Sequence, residues 1–171
     1  NYRLFRAYMT AHPGKKLLFM GTEFGQWREW RDEHSNHWHL LDDARHRGLL
    51  DLNRDLNRMY ADLGALHASD CDPTGFAWID LHNGDQSVFA FLRRSPLHPD
   101  RPPLLCVFNC TPVPREDYWL GVPATGTYRK VLDTDAARFG GSGFNQQERV
   151  VSQLAPCQGY PCHIRLDLPP L

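Results

Sequence analysis

No stretch of this chain approaches the ~20 consecutive apolar residues of a membrane span, and no signal peptide opens it. Charge of one sign is equally scarce. Nineteen Lys and Arg against 20 Asp and Glu leave a formal net charge of −1. That balance argues against nucleic acid and against an anionic membrane surface, both of which favour a basic partner. Internal repeats and low-complexity tracts are absent. Cysteine is sparse and odd in number: Cys71, Cys106, Cys110, Cys157 and Cys162 fit no common zinc spacing. Reduced structural cysteines in a cytoplasmic protein are the expectation. Cys106 and Cys110 fall an even number of residues apart on an expected strand, which predicts that both face one core. The opening Asn1-Tyr2-Arg3, without methionine, is what a truncated or processed chain would show.

What is present suffices for a folded core: 42% hydrophobic residues and five tryptophans in 171 positions. Residues 1–12 read as a helix, with Leu4, Phe5, Tyr8 and Met9 on one face and Pro13-Gly14 as the stop. A buried strand is expected at residues 17–20. Asp42 or Asp43 then caps a helix of about 22 residues, whose Leu49, Leu52, Leu56, Met59, Leu63 and Leu66 repeat at three- and four-residue steps. That stripe predicts packing against a barrel or sheet. From residue 72 the period changes to two. Strands are expected at 76–81, 86–92, 104–109, 118–122, 128–132, 150–154 and 162–168, with a hairpin turn at 82–85 and proline-rich breaks at 95–103 and 111–114. Seven strands without helices predict an antiparallel sandwich. The domain boundary falls near residue 70, separating 1–70 from 71–171.

Chemistry gathers between residues 15 and 40. In parallel α/β architectures, function collects just past the carboxyl ends of strands. Here the expected strand ends at Gly21, and Glu23, Gln26, Trp27, Arg28, Glu29 and Trp30 follow. Flat aromatics beside carboxylates and amides suit a sugar: tryptophan covers the apolar face of a pyranose, while Glu, Gln and Arg bond its hydroxyls.

The residues that carry this pattern also carry a resemblance. Gly14-Lys15-Lys16-Leu17-Leu18-Phe19-Met20-Gly21, Glu23-Phe24-Gly25-Gln26, Glu29-Trp30 and Trp38-His39-Leu40-Leu41 resemble the glycogen (1,4-α-glucan) branching enzymes of the α-amylase superfamily. Similar segments follow at His46-Arg47-Gly48-Leu49, Asp51-Leu52-Asn53, Phe108-Asn109 with Pro112, and Arg138-Phe139-Gly140-Gly141-Ser142-Gly143. The resemblance runs from end to end and implies that this chain is the carboxyl-terminal part of such an enzyme. The implied fold is an α+β fragment: the last helix–strand–helix unit of a (β/α)8 barrel, followed by an all-β antiparallel sandwich. The implied partners are α-glucan (glycogen or amylose) and the missing amino-terminal part of the same enzyme. Self-association through an exposed barrel edge is the further expectation.

Branching in that family resembles a retaining transglycosylation, which needs two carboxyl groups about 5–5.5 Å apart across the scissile bond. The three acidic residues responsible lie on earlier barrel strands, in segments this chain does not contain. No residue here is therefore assigned a catalytic role, and the chain alone is expected to be inactive. Glu23, Glu29, Asp32 and Glu33 share one loop, but nothing in the sequence fixes a reactive spacing.

The expected substrate-binding residues are Glu23, Gln26, Trp27, Trp30 and Trp38. Against them stand a salt bridge for Glu23, loop-stabilising bonds for Gln26 and plain packing for the tryptophans. No metal and no cofactor is expected: His34, His37 and His39 lack helical i, i+4 spacing and an evident supporting shell. Where the family carries an apolar residue and an aspartate before its tryptophan, Asn36 and His37 precede Trp38 here. The glycine-rich run 138–143 lacks the strand–loop–helix setting and the lysine of a phosphate loop. A loop covering the barrel fits better, and Asn145, Gln146 and Gln147 could reach a glucan at a remote site. Three other readings remain open: a malto-oligosyltrehalose hydrolase fragment, a non-catalytic glucan-binding β-domain, and a purely structural remnant.

Overall fold

The computed structural model describes residues 2–171. Its first helix, α1 (Tyr2–Ala11), buries Ala7 and Ala11, with Leu4 and Tyr8 packed beside them. That is the i, i+3, i+4, i+7 stripe of an amphipathic helix. The face sits one position away from the expected one, because Phe5 remains 54% exposed. Residue 1 of the expected helix lies outside the described residues.

Residues 17–20 depart from expectation. They form no strand, and their side chains are 71, 36, 52 and 49% exposed in chain order. A strand bonds its backbone through neighbours, and a barrel strand needs one on each side. Among the described residues none lies alongside. What the sequence presents as helix–strand–helix is here helix–loop–helix.

The second helix, α2 (Ala44–Asp62), begins where expected: the Asp43 carboxylate accepts from the backbone N–H of Arg45 at 2.7 Å. Leu52 and Leu56 are fully buried, as is Leu66 in the 3-10 turn beyond the helix. Each contributes roughly 1.5–3 kcal/mol by leaving water.

Seven strands follow, as the period-two pattern predicts: β1 (Phe76–Asp80), β2 (Val88–Arg93), β3 (Leu104–Asn109), β4 (Arg115–Val122), β5 (Thr127–Arg129), β6 (Arg149–Val151) and β7 (Cys162–Leu168). They form three antiparallel sheets, β1-β2-β3, β4-β7 and β5-β6. Alternation along β2 explains the layering. Val88, Ala90 and Leu92 face Tyr118, Leu120, Val122 and Ile164 of the β4-β7 sheet, forming the sandwich core. Phe91, on the opposite face, joins Phe108, Leu52, Leu56 and Ala11. The β1-β2-β3 sheet is therefore covered by strands on one side and by both helices on the other, and it carries apolar residues on both faces.

The cysteine expectation holds only in part. Cys106 is buried in the helix–sheet core, whereas Cys110 lies past the end of β3 and is exposed. The alternation that would align them stops at Asn109. All five cysteines are free thiols.

Candidate functional site

Two glycines shape the loop that follows residue 20. Gly21 (φ 82°) and Gly25 (φ 71°) take left-handed conformations on either side of a 3-10 turn, Thr22–Phe24. A Cβ on Gly25 would also lie 2.7 Å from the Leu49 side chain. The tight turn drives Phe24 fully into the interior and leaves Glu23 half-buried at the surface.

Buried polar groups hold this turn. The Asn53 side-chain amide donates to the Glu23 carbonyl at 2.7 Å and to the Leu49 carbonyl at 3.0 Å. Its oxygen accepts from Arg6 Nε at 2.8 Å, and Arg6 also donates to the Leu17 carbonyl at 3.2 Å. Arg6 and Asn53 are 3 and 2% exposed, and burial pulls the Arg6 pKa below its ordinary value. On the other side of the turn, His46 Nδ1 lies 2.7 Å from the Phe24 carbonyl; since a carbonyl only accepts, Nδ1 carries the proton. Both helices are thus bonded to the backbone around Glu23.

Glu23 lines a cleft of about 430 Å³ with Leu18, Phe19, Met20, Asn36, Asn53 and Arg54. No ion pair engages its carboxylate among the described residues. Gln26 uses both ends of its amide within the loop, accepting from the His37 backbone N–H at 2.8 Å and donating to the Arg28 carbonyl at 2.9 Å.

The three loop tryptophans do not line the cleft. Trp30 adjoins it edge-on to Phe19, with ring centroids 5.7 Å apart. Trp38 leans on Phe24 at 5.3 Å and Trp27 on His46 at 5.3 Å, so both rest on the packing that shapes the Glu23 turn. Trp27 is 77% and Trp38 54% exposed, which leaves ring surface open for stacking. His37 and His39 stand 5.4 Å apart, and among the described residues no group of three or more His, Cys, Asp or Glu could hold a metal.

The glycine-rich loop closes over the helices. The carboxylate of Asp135 (3% exposed) accepts from the Ser142 and Phe144 backbone N–H groups at 2.9 and 3.3 Å, and from the Ser142 hydroxyl. Arg3 of α1 reaches the same carboxylate at 3.4 Å, and Arg138 pairs with Asp55 of α2. A Cβ on Gly48 would lie 2.8 Å from the Phe139 backbone, so α2 and this loop meet at a glycine.

Sequence reasoning passed over Arg6, Asn53 and His46 as elements of this site. His46 and Asn53 both lie in segments that carry the family resemblance, and that is the signal that could have flagged them.

Comparison with known proteins supplies the context. Residues 78–171 match the family described as alpha amylase, C-terminal all-beta domain. Over its whole length the chain is 48% identical to a 1,4-alpha-glucan branching enzyme of Cereibacter sphaeroides and 47% identical to one of Thiobacillus denitrificans. It is 50% identical to one of Bordetella pertussis over 98% of the chain. The chain spans 23, 23 and 22% of the lengths of these three relatives.

Proposed function

Because the chain belongs to the alpha amylase C-terminal all-beta domain family, we propose that it is the carboxyl-terminal portion of a 1,4-α-glucan branching enzyme. The complete enzyme would cut α-1,4 glucan chains and rejoin them to sugar 6-hydroxyls as α-1,6 branches in glycogen. Its two reacting carboxyl groups, about 5–5.5 Å apart, would lie in the part that precedes this chain. Residues 1–70 would complete the catalytic barrel, and residues 71–171 would form the terminal β-domain. The reading carries with it a cytoplasmic setting; no helix among the described residues is long and apolar enough to cross a membrane.

The observation that carries the reading is the exposed run at residues 17–20, which ends at the loop bearing Glu23. Four consecutive apolar residues on a surface are a cost unless something covers them. A barrel strand with its neighbours in place would cover them and bring Glu23 to the pocket rim. There the Glu23 carboxylate would accept a glucose hydroxyl, and Trp27, Trp30 and Trp38 would cover pyranose faces. Gln26 would fix the loop that presents them and touch substrate only at its edge. In isolation, residues 17–20 would be the surface through which two copies associate.

The test is a chimera in which this chain replaces the corresponding carboxyl-terminal part of the Cereibacter sphaeroides relative. Hydrolysis of the α-1,6 bonds in its product from amylose should release short linear chains, while the chain alone should leave amylose unchanged. Were this chain instead to restore trehalose release when joined to the catalytic part of a malto-oligosyltrehalose hydrolase, and to leave the branching chimera inactive, that hydrolase would be favoured. A chimera that folds yet leaves amylose unbranched would refute the proposal.

A further inference from the structure

A second aromatic surface lies on the β-sandwich, on the outer face of the β4-β7 sheet. Along β4, Tyr118, Leu120 and Val122 point into the core, so Trp119 points outward. Its ring does not stand off the sheet. It lies flat on His163 of β7, with centroids 4.3 Å apart and planes 3° from parallel. One face is thereby covered, His163 is only 1% exposed, and Trp119 remains 45% exposed.

Several contacts fix the ring in that attitude. Its indole N–H points to Asp117 at 3.4 Å, and the Arg165 guanidinium lies over the ring, 4.8 Å from its centroid. His163 Nδ1 donates to the Ala155 carbonyl at 3.1 Å, which locks the imidazole beneath. The strand itself is bent to make this possible: the β4-β7 register shifts between Arg115 and Tyr118, a bulge of the kind that re-aims side chains. Within it Asp117 takes φ 51°, a conformation uncommon outside glycine.

Beside the ring opens a second cleft of about 430 Å³, whose wall includes Asn83, Gln86, Arg115, Glu116, Asp117 and Gln158. Its floor is rigid. The Tyr118 hydroxyl donates to Asp80 at 2.7 Å and accepts from the Asn83 amide at 3.0 Å, while Gln158 donates to Asp80 at 2.9 Å. Gln158, also at positive φ (49°), accepts from the Gly121 N–H at 2.8 Å. A Cβ at Gly121 would lie 2.3 Å from the Cys157 carbonyl, so the glycine admits the segment that carries Gln158.

A flat, immobilised indole that stays 45% exposed, bordered by amides, carboxylates and a guanidinium, is matched to a pyranose: apolar on its faces and ringed with hydroxyls. Because the ring is held before any ligand arrives, binding requires little further ordering. Neutral charge suits the cleft equally, since Glu116 and Asp117 would repel an anion and Arg115 and Arg165 a cation. We propose that Trp119 and this cleft form an α-glucan contact on the β-domain, separate from the Glu23 loop; the choice of α-glucan rests on the function proposed above. Trp119 stacks on a glucose ring and Glu116 accepts from its hydroxyls, while Gln158, with both ends of its amide engaged, holds the floor in place. Such a contact would hold a polysaccharide on the β-domain without reacting with it.

The test is native electrophoresis of the whole chain in gels with and without glycogen, beside a non-binding control protein. The chain should be retarded. Trp119→Ala should weaken retardation about tenfold in apparent affinity, the equivalent of losing one stacked ring. Trp119→Phe should keep most of it, and the triple Trp27→Ala, Trp30→Ala, Trp38→Ala variant should still be retarded. Should Trp119→Ala unfold, the exposed Glu116→Ala substitution decides instead, with reduced retardation expected. Unretarded wild-type chain, or variants at 119 and 116 as strongly retarded as wild type, would overturn the site. The chimera would still report on branching in either case, so loss of this contact and loss of the enzyme assignment are distinguishable.

Discussion

The Arg93 guanidinium sits 2.6 Å from the Asp70 carboxylate, with the arginine side chain 1% and the aspartate 18% exposed. Arg93 also donates to the Ala11 carbonyl at 2.7 Å and to the Leu66 carbonyl at 3.1 Å. One side chain at the end of β2 thus satisfies the last turn of α1 and the turn after α2, while Asp70 compensates its charge. The helices are keyed to the sheet at this point.

Removing either partner should therefore uncouple the layers. Arg93→Met would leave two buried carbonyls unbonded and Asp70 without its cation, and should cost about 3–5 kcal/mol in urea unfolding. Asp70→Asn keeps a hydrogen bond but strands the guanidinium charge, and should cost less. Equal, small effects from both would mean that the pair contributes little.

Asn53 should act on the loop more than on the helix that bears it. Asn53→Ala removes the donor to the Glu23 carbonyl and the acceptor for Arg6, with an expected loss of about 1–3 kcal/mol. Hydrogen exchange should speed up across residues 21–26 before it does so in the sheet. Unchanged exchange there would contradict the role assigned to Asn53.

Alkali should destabilise the chain in a defined window. Burial, then the bond to Asp80, pushes the Tyr118 pKa from 10.0 up to about 12. Burial does the same to the Cys106 thiol, from 9.0 to about 12. In both cases the folded state holds its proton after the unfolded chain has released it. The stabilisation is complete below the unfolded value and is lost as pH rises towards 12. Tyr118→Phe should flatten the fall between pH 10 and 12, and Cys106→Ala should flatten it from pH 9 upward. Unfolding curves that keep the wild-type slope would contradict both assignments.

Thiol reactivity should sort by position. Cys71 and Cys110 are exposed, whereas Cys106 and Cys162 are buried. A disulfide reagent at pH 8 should modify Cys71 at once, Cys110 more slowly because partial burial raises its pKa, and the second pair only on unfolding. Prompt modification of Cys106 would mean that the helix–sheet core opens.

The strands were legible where local pattern and breakers agree. Residues 104–109 and 162–168 alternate between prolines or turns and emerge with the expected ends. Strands near 128 and 150 come out shorter, three residues each, because they pair only with one another. Residues 17–20 carry as strong an apolar run, but pairing is supplied by neighbours, and no run of letters provides them. Residue types mark the Glu23 loop as a candidate, and its 3-10 turn between two left-handed glycines is a matter of backbone geometry. The loop's supports, Arg6, Asn53 and His46, were not legible from residue type, because each reaches the loop from a helix distant in sequence. Trp119 passed unnoticed for a related reason: an outward residue on a strand looks the same whether or not a bulge lays it flat.

Residues 17–20 bear most directly on the central claim that this chain completes a longer enzyme. Hydrogen exchange at their amides, measured on the chain alone and within the chimera, should fall from rapid to strongly protected as the neighbouring strands pair with them. Rapid exchange in both settings would contradict a barrel strand there, and with it the place assigned to the Glu23 loop at the rim of the pocket.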